Sequence, residues 1–418
     1  MTEEPQKAKE FTITLPGPDG TFEVIALLEH NEDAAQHPRL IKVSKRPLPS
    51  PRPASTTERE TRVVLSLGSG HQQAAHFFED VVSPILTTLY GEEGMLTLKI
   101  HTTQSATTIL ELTNEVLFPA ANGTTGKPLR ILLLSGDGGV VDLVNGLSSK
   151  AMSSQYVAPQ VALLPLGTAN ALYHSINANA GANNKWGLHA LASSTSKPLP
   201  IFTASFSPGA RLLVDEARVE EALPTDEKGN GKLHGAVVCS WGMHASLVAD
   251  SDTTEYRKFG IDRFKMAAKE ALYPSDGSPP HPYKGRVSVL KGSDDWTALP
   301  EEEHMYVLAT LVSNLEQPFC ISPASKPLDG SLHLVHFGPT SGDEAMRIMG
   351  LAYQGGKHVE DPAVRYEAIN GLRIDFKGME DDGRWRRICV DGKIVRVDKD
   401  GWVEIRKEER RVLDVVVA

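Results

Sequence analysis

The sequence of 418 residues predicts an α/β protein, with a doubly wound, Rossmann-like parallel sheet followed by an antiparallel β-sandwich domain. Between residues 61 and 195, short apolar runs alternate with segments of helical periodicity, which is typical of repeated βα units. From residue 196 onward, short strand-like runs recur between polar or Gly/Pro-rich loops, which favours antiparallel structure. The expected divisions are N-terminal strands and a Pro-rich linker (1–60), the α/β domain (61–195) and the β-sandwich (196–418), whose C-terminal tail can return to the α/β domain.

Composition limits the class of protein. The net charge of −10 argues against a nucleic-acid binder and against bulk electrostatic attachment to anionic lipid. The three cysteines, Cys239, Cys320 and Cys389, are far apart in sequence and predict a reducing compartment. The chain begins without an apolar signal region, and its apolar runs are too short for a membrane span, so a cytoplasmic location is expected.

The N-terminal elements follow from local patterns. Residues 11–15 and 21–28 predict a hairpin around a Pro/Gly turn, and residues 45–62 predict an extended linker with alternating prolines. A strand at 61–67 leads into the turn Gly68-Ser69-Gly70 and a helix with a bend at Pro84. A strand at 96–101 and a helix at 106–117 come next.

The stretch 130–147 is the centre of the predicted α/β domain. The apolar residues 131–134 predict a buried strand, Ser135-Gly136-Asp137-Gly138-Gly139 a tight turn, and the apolar spacing from Val140 to Leu147 a helix that stops at Asn145-Gly146. A strand, a glycine turn and a helix start direct backbone N–H groups toward an anion such as phosphate, with Asp137 at the rim. The turn is neither a Walker loop nor GxGxxG, and an ordinary βα turn remains an equal alternative.

Further elements complete the pattern. Residues 161–164 predict a buried strand, Gly167-Thr168-Ala169 a turn, and Asn170 a helix start. One helix is expected at 257–272. Strands are expected at 200–206, 211–214, 235–240, 285–290, 304–313, 331–337, 372–376 and 386–390.

Two motifs, SGDGG followed by VVDLVNGL and the later LLPLGTANAL, resemble the signatures of the diacylglycerol kinase and sphingosine kinase family of lipid kinases. The resemblance implies a nucleotide-binding α/β domain, a β-sandwich domain and an active site in the cleft between them. It makes Asp137 the catalytic base and Ser135 a substrate contact. It assigns nucleotide contacts to Ser66, Gly68, Thr103, Gly136, Gly138, Asp142, Gly167, Thr168, Ala169 and Asn170.

The sequence departs from the family pattern in the first domain. Ser66-Leu67 stands where an Asn-Pro pair is usual, which weakens the match to that nucleotide-contacting loop. Asp142 replaces a glutamate, which keeps the charge and shortens the reach. For Thr103, a helix cap is an equal alternative to a nucleotide contact.

The stretch 241–264 resembles the sphingosine kinase segment more closely than the bacterial diacylglycerol kinase segment. The resemblance implies that Asp250 holds the amino-alcohol head group of the lipid and that Arg257 and Arg263 reach the ATP phosphates. A carboxylate can pair with a sphingoid ammonium, and a guanidinium can bind phosphate through two hydrogen bonds. A solvated helix of mixed charge is the alternative.

The segment Val390-Asp391-Gly392-Lys393 matches the late Asp-Gly-Glu motif of the family except at its last residue. The resemblance implies that Asp391, Gly392 and Lys393 contact the nucleotide. It also implies that Asp391 and Asp137 bind the metal ion. An ammonium about 4 Å from Mg²⁺ is repelled by roughly 4 kcal/mol per unit charge, so Lys393 cannot replace a carboxylate ligand. Either Asp391 and Asp137 suffice to hold the metal and Lys393 bonds a phosphate directly, or transfer is much impaired.

The resemblance therefore implies Mg²⁺- and ATP-dependent phosphorylation of a primary hydroxyl of a sphingoid base, by an enzyme that reaches its lipid peripherally at a membrane surface. The alternatives are a diacylglycerol kinase, an enzyme like NAD kinase, and a catalytically silent lipid- or nucleotide-binding regulator. Ser66-Leu67 and Lys393 motivate the silent regulator. No nucleic-acid partner and no transmembrane segment are expected.

Overall fold

The computed structural model describes residues 10–33, 35–50, 59–123, 128–178 and 186–417. The chain divides into two compact units. The first comprises residues 1–168, 177–198 and 411–418, and the second comprises residues 169–176 and 199–410. Within the described ranges, every helix falls short of the length and apolar character that a membrane span requires.

An antiparallel sheet opens the first unit, with β1 (Glu10–Pro16), β2 (Phe22–Glu29) and β3 (Arg39–Pro47) paired in chain order. Buried and exposed residues alternate along β1, so its apolar face packs into the core of the unit. The predicted hairpin is confirmed. The predicted linker is wrong at its beginning, because residues 45–47 belong to β3. At its end, the strand predicted from residue 61 is confirmed and begins at residue 60. Residues 51–58 of the linker lie outside the described part. The sequence pattern concealed β3 because none of its side chains is fully buried.

Four parallel strands form the main part of a second sheet: β4 (Glu60–Leu65), β5 (Lys99–Thr102), β6 (Leu129–Ser135) and β7 (Gln160–Pro165). They lie in the order β5-β4-β6-β7. All seven residues of β6 are buried, as expected of a central strand. The carboxyl ends of the four strands share one edge, where open α/β sheets bind their ligands.

Helices connect these strands. They are α1 (Ala74–Phe77), α2 (Ser83–Leu96), α3 (Thr108–Leu112), α4 (Phe118–Ala121) and α5 (Asp137–Ser148). π-helical turns at Phe78–Val82 and Thr113–Leu117 join α1 to α2 and α3 to α4, and a 3₁₀ turn spans Leu188–Leu191. The first π turn ends just before Pro84, whose missing N–H accounts for the predicted irregularity at this point.

The chain returns to this sheet twice. β8 (Ser196–Pro198) closes the first passage through the unit, and the last strand, Asp414–Val416, comes from the C-terminus. The last strand pairs in parallel with β7 and antiparallel with β8. The C-terminal segment therefore completes the sheet that carries the central motif.

The second unit consists mainly of antiparallel strands, whose bounds are β9 (Ile201–Phe206), β10 (Arg211–Val214), β11 (Val219–Ala222), β12 (Gly231–Gly235), β13 (Val238–Gly242), β14 (Tyr283–Lys284), β15 (Arg286–Leu290), β16 (Trp296–Ala298), β17 (Glu303–His304), β18 (Tyr306–Thr310), β19 (Asn314–Glu316), β20 (Phe319–Cys320), β21 (Leu332–Phe337), β22 (Arg365–Ile369), β23 (Gly371–Asp375), β24 (Arg387–Val390), β25 (Lys393–Arg396) and β26 (Trp402–Glu408).

Two large sheets organise these strands. One has the order β11-β10-β25-β24-β13-β18-β21-β22, and the other has the order β12-β9-β26-β23-β15-β16. Buried side chains of both sheets, including Trp241 and Ile374, form a single apolar cluster. The predicted combination of a parallel sheet with later antiparallel sheets is confirmed.

The helices of the second unit are α6 (Ala171–Ile176), α7 (Met243–Ser251), α8 (Thr254–Arg257), α9 (Asp262–Leu272) and α10 (Gly342–Ala352). 3₁₀ turns lie at Lys357–Glu360 and Gly383–Arg386. The single helix predicted at 257–272 is wrong in its first part, because Gly260 adopts a positive φ of 54° between α8 and α9. The sequence pattern did not predict α10, and it indicated α7 only through the helical alternative for 241–264.

Candidate functional site

Asp137 is the first residue of α5 and follows β6 through the single residue Gly136. Gly136 is extended, with φ −97° and ψ −167°, so the chain turns sharply from the buried strand into the helix. The Asp137 side chain is half-buried. It lies beside the N–H groups of the first helical turn, which favour anions. The predicted order of strand, glycine turn and helix start is confirmed.

Three glycine turns meet at this edge of the sheet. A Cβ atom on Gly136 would lie 2.6 Å from Cα of Gly167, and one on Gly70 would collide with the carbonyl oxygen of Leu166. These approaches require glycine at both positions, and Gly70 also has a positive φ of 49°. The turns after β4, β6 and β7 therefore form one continuous backbone surface.

Two hydroxyl groups hold these turns. The N–H of Gly136 donates to Ser69 Oγ at 3.0 Å. The N–H of Leu67 donates to Thr103 Oγ1 at 2.9 Å, while the N–H of Thr103 donates to the carbonyl of Leu65. Thr103 is thus bound to the neighbouring glycine turn, and α3 begins five residues later, which argues against the helix-cap alternative.

Some predicted residues lie toward the interior. Ser135 is 7% exposed, and its hydroxyl packs against Gly139, 2.5 Å from the position of an added Cβ. Asp142, in the second turn of α5, is also 7% exposed. Burial disfavours their predicted contacts with substrate and nucleotide, which stay predictions. Gly138 is exposed, and an added Cβ there would meet nothing within 4 Å, so this backbone is accessible.

The turn after β7 runs from one unit into the other. Gly167 and Thr168 belong to the first unit, and Ala169 and Asn170 to the second. All four are half-buried. Asn170 has a positive φ of 52° immediately before α6, a conformation that asparagine tolerates better than most residues. The predicted helix start at Asn170 is correct to one residue.

Within the second unit, the two predicted phosphate-binding arginines converge on one carboxylate. Arg257 donates from Nε and Nη2 to the two oxygens of Asp252, each at 3.0 Å, and Arg263 Nη1 donates to Asp252 Oδ1 at 3.3 Å. The hydrogen bonds from Asp252 raise the pKa of Arg257. Burial, with the charge of Arg257, lowers the pKa of Arg263. Both arginines therefore bind one carboxylate, and guanidinium groups can bind phosphate oxygens through similar hydrogen bonds.

Asp250 is bound to other arginines. Its carboxylate accepts from Arg387 Nη1 at 2.8 Å and from Arg384 Nη2 at 3.0 Å. Burial alone would raise the pKa of Asp250, but the two arginines outweigh it and lower that pKa. One carboxylate between two guanidinium groups has little attraction left for an ammonium group. These contacts disfavour the predicted head-group role of Asp250.

Asp391 and Gly392 form the two-residue turn between β24 and β25, and both have positive φ, 47° and 89°. Such Asp-Gly turns are characteristic of type I′ hairpins. The Asp391 carboxylate accepts from the N–H groups of Ala236 at 2.6 Å, Val237 at 3.1 Å and Val238 at 2.6 Å. These bonds give the side chain a structural role and disfavour its predicted roles at the metal and the nucleotide. Lys393 is half-buried at the start of β25.

The described side chains do not by themselves form a metal site. Among the described ranges no group of three or more His, Cys, Asp or Glu side chains could hold a metal ion. A Mg²⁺ ion that keeps water and nucleotide phosphates as ligands needs only one or two protein carboxylates. Asp137, half-buried at a helix start, fits that requirement, whereas Asp391 is occupied by three amide groups.

Sequence reasoning missed three groups of functional interest: Ser69, Asp252, and the pair Arg384 and Arg387. Ser69 had a signal, because it lies inside a recognised glycine turn. Asp252 is five residues before Arg257, which is not the spacing of an ion pair within one helix. The two side chains meet because the chain breaks between α7 and α8, and the sequence pattern did not show that break. The contact of Asp250 with Arg384 and Arg387 spans more than 130 residues and leaves no local pattern.

Residues 60–204 match the family model of the diacylglycerol kinase catalytic domain. The chain is 24% identical to sphingosine kinase 1 of Mus musculus over 336 residues, 74% of this chain and 80% of the mouse protein. It is 24% identical to sphingosine kinase 1 of Homo sapiens over 376 residues, 83% of this chain and 89% of the human protein.

Solved structures show the same fold. The crystal structure of a putative diacylglycerol kinase from Bacillus anthracis str. Sterne aligns with a TM-score of 0.55 at 13% identity, over 86% of this chain and 97% of the bacterial chain. A second structure described as a putative diacylglycerol kinase from that strain gives 0.54 at 14% identity, with the same coverage. The predicted relationship to these lipid kinases is confirmed by the matches, and so is the predicted enzyme class, an ATP-dependent lipid kinase.

Proposed function

We propose that this ATP-dependent lipid kinase transfers the γ-phosphate of ATP to a primary hydroxyl of a sphingoid base at a membrane surface, which it reaches peripherally from the cytoplasm. The similarity to sphingosine kinases over about four-fifths of the chain supports this substrate class. The observation that carries the reaction type is the meeting of three glycine turns beside Asp137.

Asp137 is the proton acceptor in this proposal. Its carboxylate lies at the N-terminus of α5, where backbone N–H groups and the helix dipole favour phosphate oxygens. The lipid hydroxyl loses its proton to Asp137 as its oxygen attacks the γ-phosphorus, and the bond to the β-phosphate oxygen breaks. General-base catalysis contributes about 10²–10⁴ in rate.

Arg257 and Arg263 supply positive charge for the triphosphate. Both already bind one anion, the Asp252 carboxylate, Arg257 through both oxygens and Arg263 through Oδ1, and a phosphate group offers oxygens for the same contacts. In phosphoryl transfer, positioning and charge neutralisation provide most of the catalysis. Without nucleotide, both arginines donate hydrogen bonds to Asp252. When nucleotide binds, they donate to its phosphate oxygens instead.

Mg²⁺ would be held by Asp137 together with the nucleotide phosphates, and would neutralise charge on the transferring group. The proposal leaves Asp391 out of the ligand set, because its carboxylate binds three amide groups. Lys393 carries a charge suited to a phosphate oxygen rather than to a metal.

Diacylglycerol is the second candidate substrate, and one observation favours it. Arg384 and Arg387 form ion pairs with Asp250. Its negative charge is therefore compensated and attracts a sphingoid ammonium group only weakly. An uncharged diol lipid needs no such carboxylate. The solved relatives named above are also described as putative diacylglycerol kinases.

The experiment incubates the purified full chain with Mg-ATP and vesicles that contain sphingosine, sphinganine or diacylglycerol, and identifies the phosphorylated product by mass spectrometry. Sphingoid phosphate is the expected product. Asp137→Asn should lower kcat by 10²-fold or more, and Asp80→Asn, an exposed carboxylate of the same unit, should leave it within twofold. Binding of ATP without transfer to any lipid would instead establish the silent regulator.

A further inference from the structure

Ser69 lies in the turn after β4, and its side chain reaches the turn after β6. Its Oγ accepts the N–H of Gly136 at 3.0 Å, although the two residues are 67 positions apart. Ser69 is held in place by its own backbone, since its N–H donates to the carbonyl of Ser66 and its carbonyl accepts from the N–H of Gln72. These bonds hold the main chain of Ser69 at the place from which its hydroxyl accepts the N–H of Gly136.

The peptide of Gly136 is confined from two sides. Ser69 binds its N–H on one side, and on the other side Gly167 approaches so closely that a Cβ on Gly136 would lie 2.6 Å from Cα of Gly167. A glycine has more conformational freedom than any other residue, so an unbraced Gly136 would sample other backbone angles. Each of those angles would redirect Asp137, the next residue.

The brace extends to the edge of the sheet. Thr103, at the end of β5, accepts the N–H of Leu67 and anchors the beginning of the turn that carries Ser69. Leu67 and Ser69 are two residues apart in that turn. A chain of contacts thus runs from β5 through the turn after β4 to the turn after β6.

We propose that Ser69 is a positioning residue for the phosphoryl transfer: its hydroxyl fixes the Gly136 peptide and thereby aims the Asp137 carboxylate at the acceptor hydroxyl. This inference rests on the proposed function, in which Asp137 takes the proton. It also assigns the Gly136 N–H to the protein, so the remaining N–H groups of the α5 start are the ones that serve the nucleotide. Thr103 acts one step further out, through the Leu67 N–H.

The test compares Ser69→Ala and Ser69→Thr with the native chain, and Ser50→Ala serves as the matched control because Ser50 is an exposed serine of the same unit. Ser69→Ala removes the acceptor, and Ser69→Thr keeps a hydroxyl on Cβ. Steady-state kinetics with Mg-ATP and the phosphorylated lipid class give kcat and KM. Hydrogen exchange of the Gly136 amide is measured on the same proteins without ligand.

We expect Ser69→Ala to lower kcat 10- to 100-fold and to change KM for ATP less than threefold, because misdirection of the base affects the chemical step. Ser69→Thr should retain at least a third of the native kcat, and Ser50→Ala should be native in every respect. The Gly136 amide should exchange at least tenfold faster in Ser69→Ala. A general loss of folding is excluded when amides of β6 keep their native protection.

Two results would overturn the inference. One is native exchange at Gly136 in Ser69→Ala, which would show that the contact does not hold the turn whether or not the protein phosphorylates a lipid. The other is a native kcat in Ser69→Ala despite faster exchange. Failure of the proposed function is distinct, because the native chain would then release no lipid phosphate while the exchange difference at Gly136 persists.

Discussion

Asp250 and Asp252 lie two residues apart at the end of α7, yet they bind different arginines. Asp252 holds Arg257 and Arg263, the pair predicted to contact phosphate, whereas Asp250 holds Arg384 and Arg387. The side chain of Arg387 is only 9% exposed, so its charge depends on Asp250 for compensation. Asp250 therefore connects α7 to β24, whereas Asp252 binds the two arginines that are proposed to contact phosphate.

The first prediction concerns Asp250→Asn. Because the change leaves the buried Arg387 guanidinium without a charged partner, we expect a loss of about 2 kcal/mol of stability, a value reduced for the partial exposure of Asp250. KM for sphingosine and for diacylglycerol should change by the same factor. Thermal unfolding and kinetics on both lipids measure the two effects.

Asp381→Asn is the control for this prediction, because it removes the partner of Lys399 from an exposed pair and should leave stability within about 0.5 kcal/mol. A native melting temperature in Asp250→Asn, together with a tenfold rise in KM for sphingosine alone, would restore the head-group role that the sequence predicts.

At the scale of elements, the sequence predicts the parallel strands well and the contacts between turns poorly. The apolar run at 131–134 and the glycines after it require a buried strand and a sharp turn, and the structure has both as β6 and the start of α5. The approach of Gly136 to Gly167 brings together residues 31 positions apart. The two turns lie close together because β6 and β7 are neighbours in the sheet, and the local sequence does not reveal which strands are neighbours.

The Asp391-Gly392 turn shows how one pattern can support two interpretations. The segment Val390-Asp391-Gly392-Lys393 resembles a catalytic motif, but Asp-Gly between two apolar strands is also a strong signal for a type I′ hairpin. The structure shows that hairpin, with both residues at positive φ. The contacts with Ala236, Val237 and Val238 come from the connection between β12 and β13 and the first residue of β13, more than 150 positions away, and were not predictable from the motif.

The second prediction follows from that turn. Asp391→Ala removes the acceptor of three buried N–H groups, so we expect a loss of about 3 kcal/mol of stability in the presence or absence of Mg²⁺. Thermal unfolding with and without Mg²⁺ measures this loss of stability. Glu221→Gln, an exposed carboxylate in the same sheet, should have no effect. A variant of native stability whose activity is rescued by high Mg²⁺ would support the metal role instead.

At the scale of the whole molecule, the two units differ in their buried histidines. In the second unit, burial lowers the pKa of His174, His234 and His244 to about 4 and that of His336 to about 3, the latter with help from His304 and Arg365. Burial also lowers the pKa of His304, His333 and His358. In the first unit, burial lowers the pKa of His101 and of His189.

His304 and His336 show why protonation is costly. His304 Nε2 lies 2.9 Å from the carbonyl of Gly285, which only accepts, so Nε2 carries the hydrogen. In neutral His304, Nδ1 is then an acceptor, and it takes the hydrogen of His336 Nε2 at 2.9 Å. A proton on Nδ1 of His304 would oppose the Nε2–H of His336, so His336 would have to move that hydrogen to its other ring nitrogen in a buried site.

The third prediction is that acid weakens the second unit before the first. A histidine whose pKa is lowered by folding stabilises the protein fully above the unfolded value of about 6.5, and that contribution is lost as the pH falls below it, by up to about 1.4 kcal/mol per pH unit for each residue. Asp250, held by Arg384 and Arg387, has a lowered pKa and keeps its contribution until the pH falls below its unfolded value of about 3.9. Between pH 6.5 and 4.5 the histidines therefore dominate the pH dependence of stability.

Hydrogen-exchange protection factors at pH 7, 6 and 5 should fall in β13, β18 and β21 while those of β4 and β6 in the same sample stay constant. Loss of protection in β4 and β6 first, or in both units together, would show that the buried histidines do not set the acid limit of this protein.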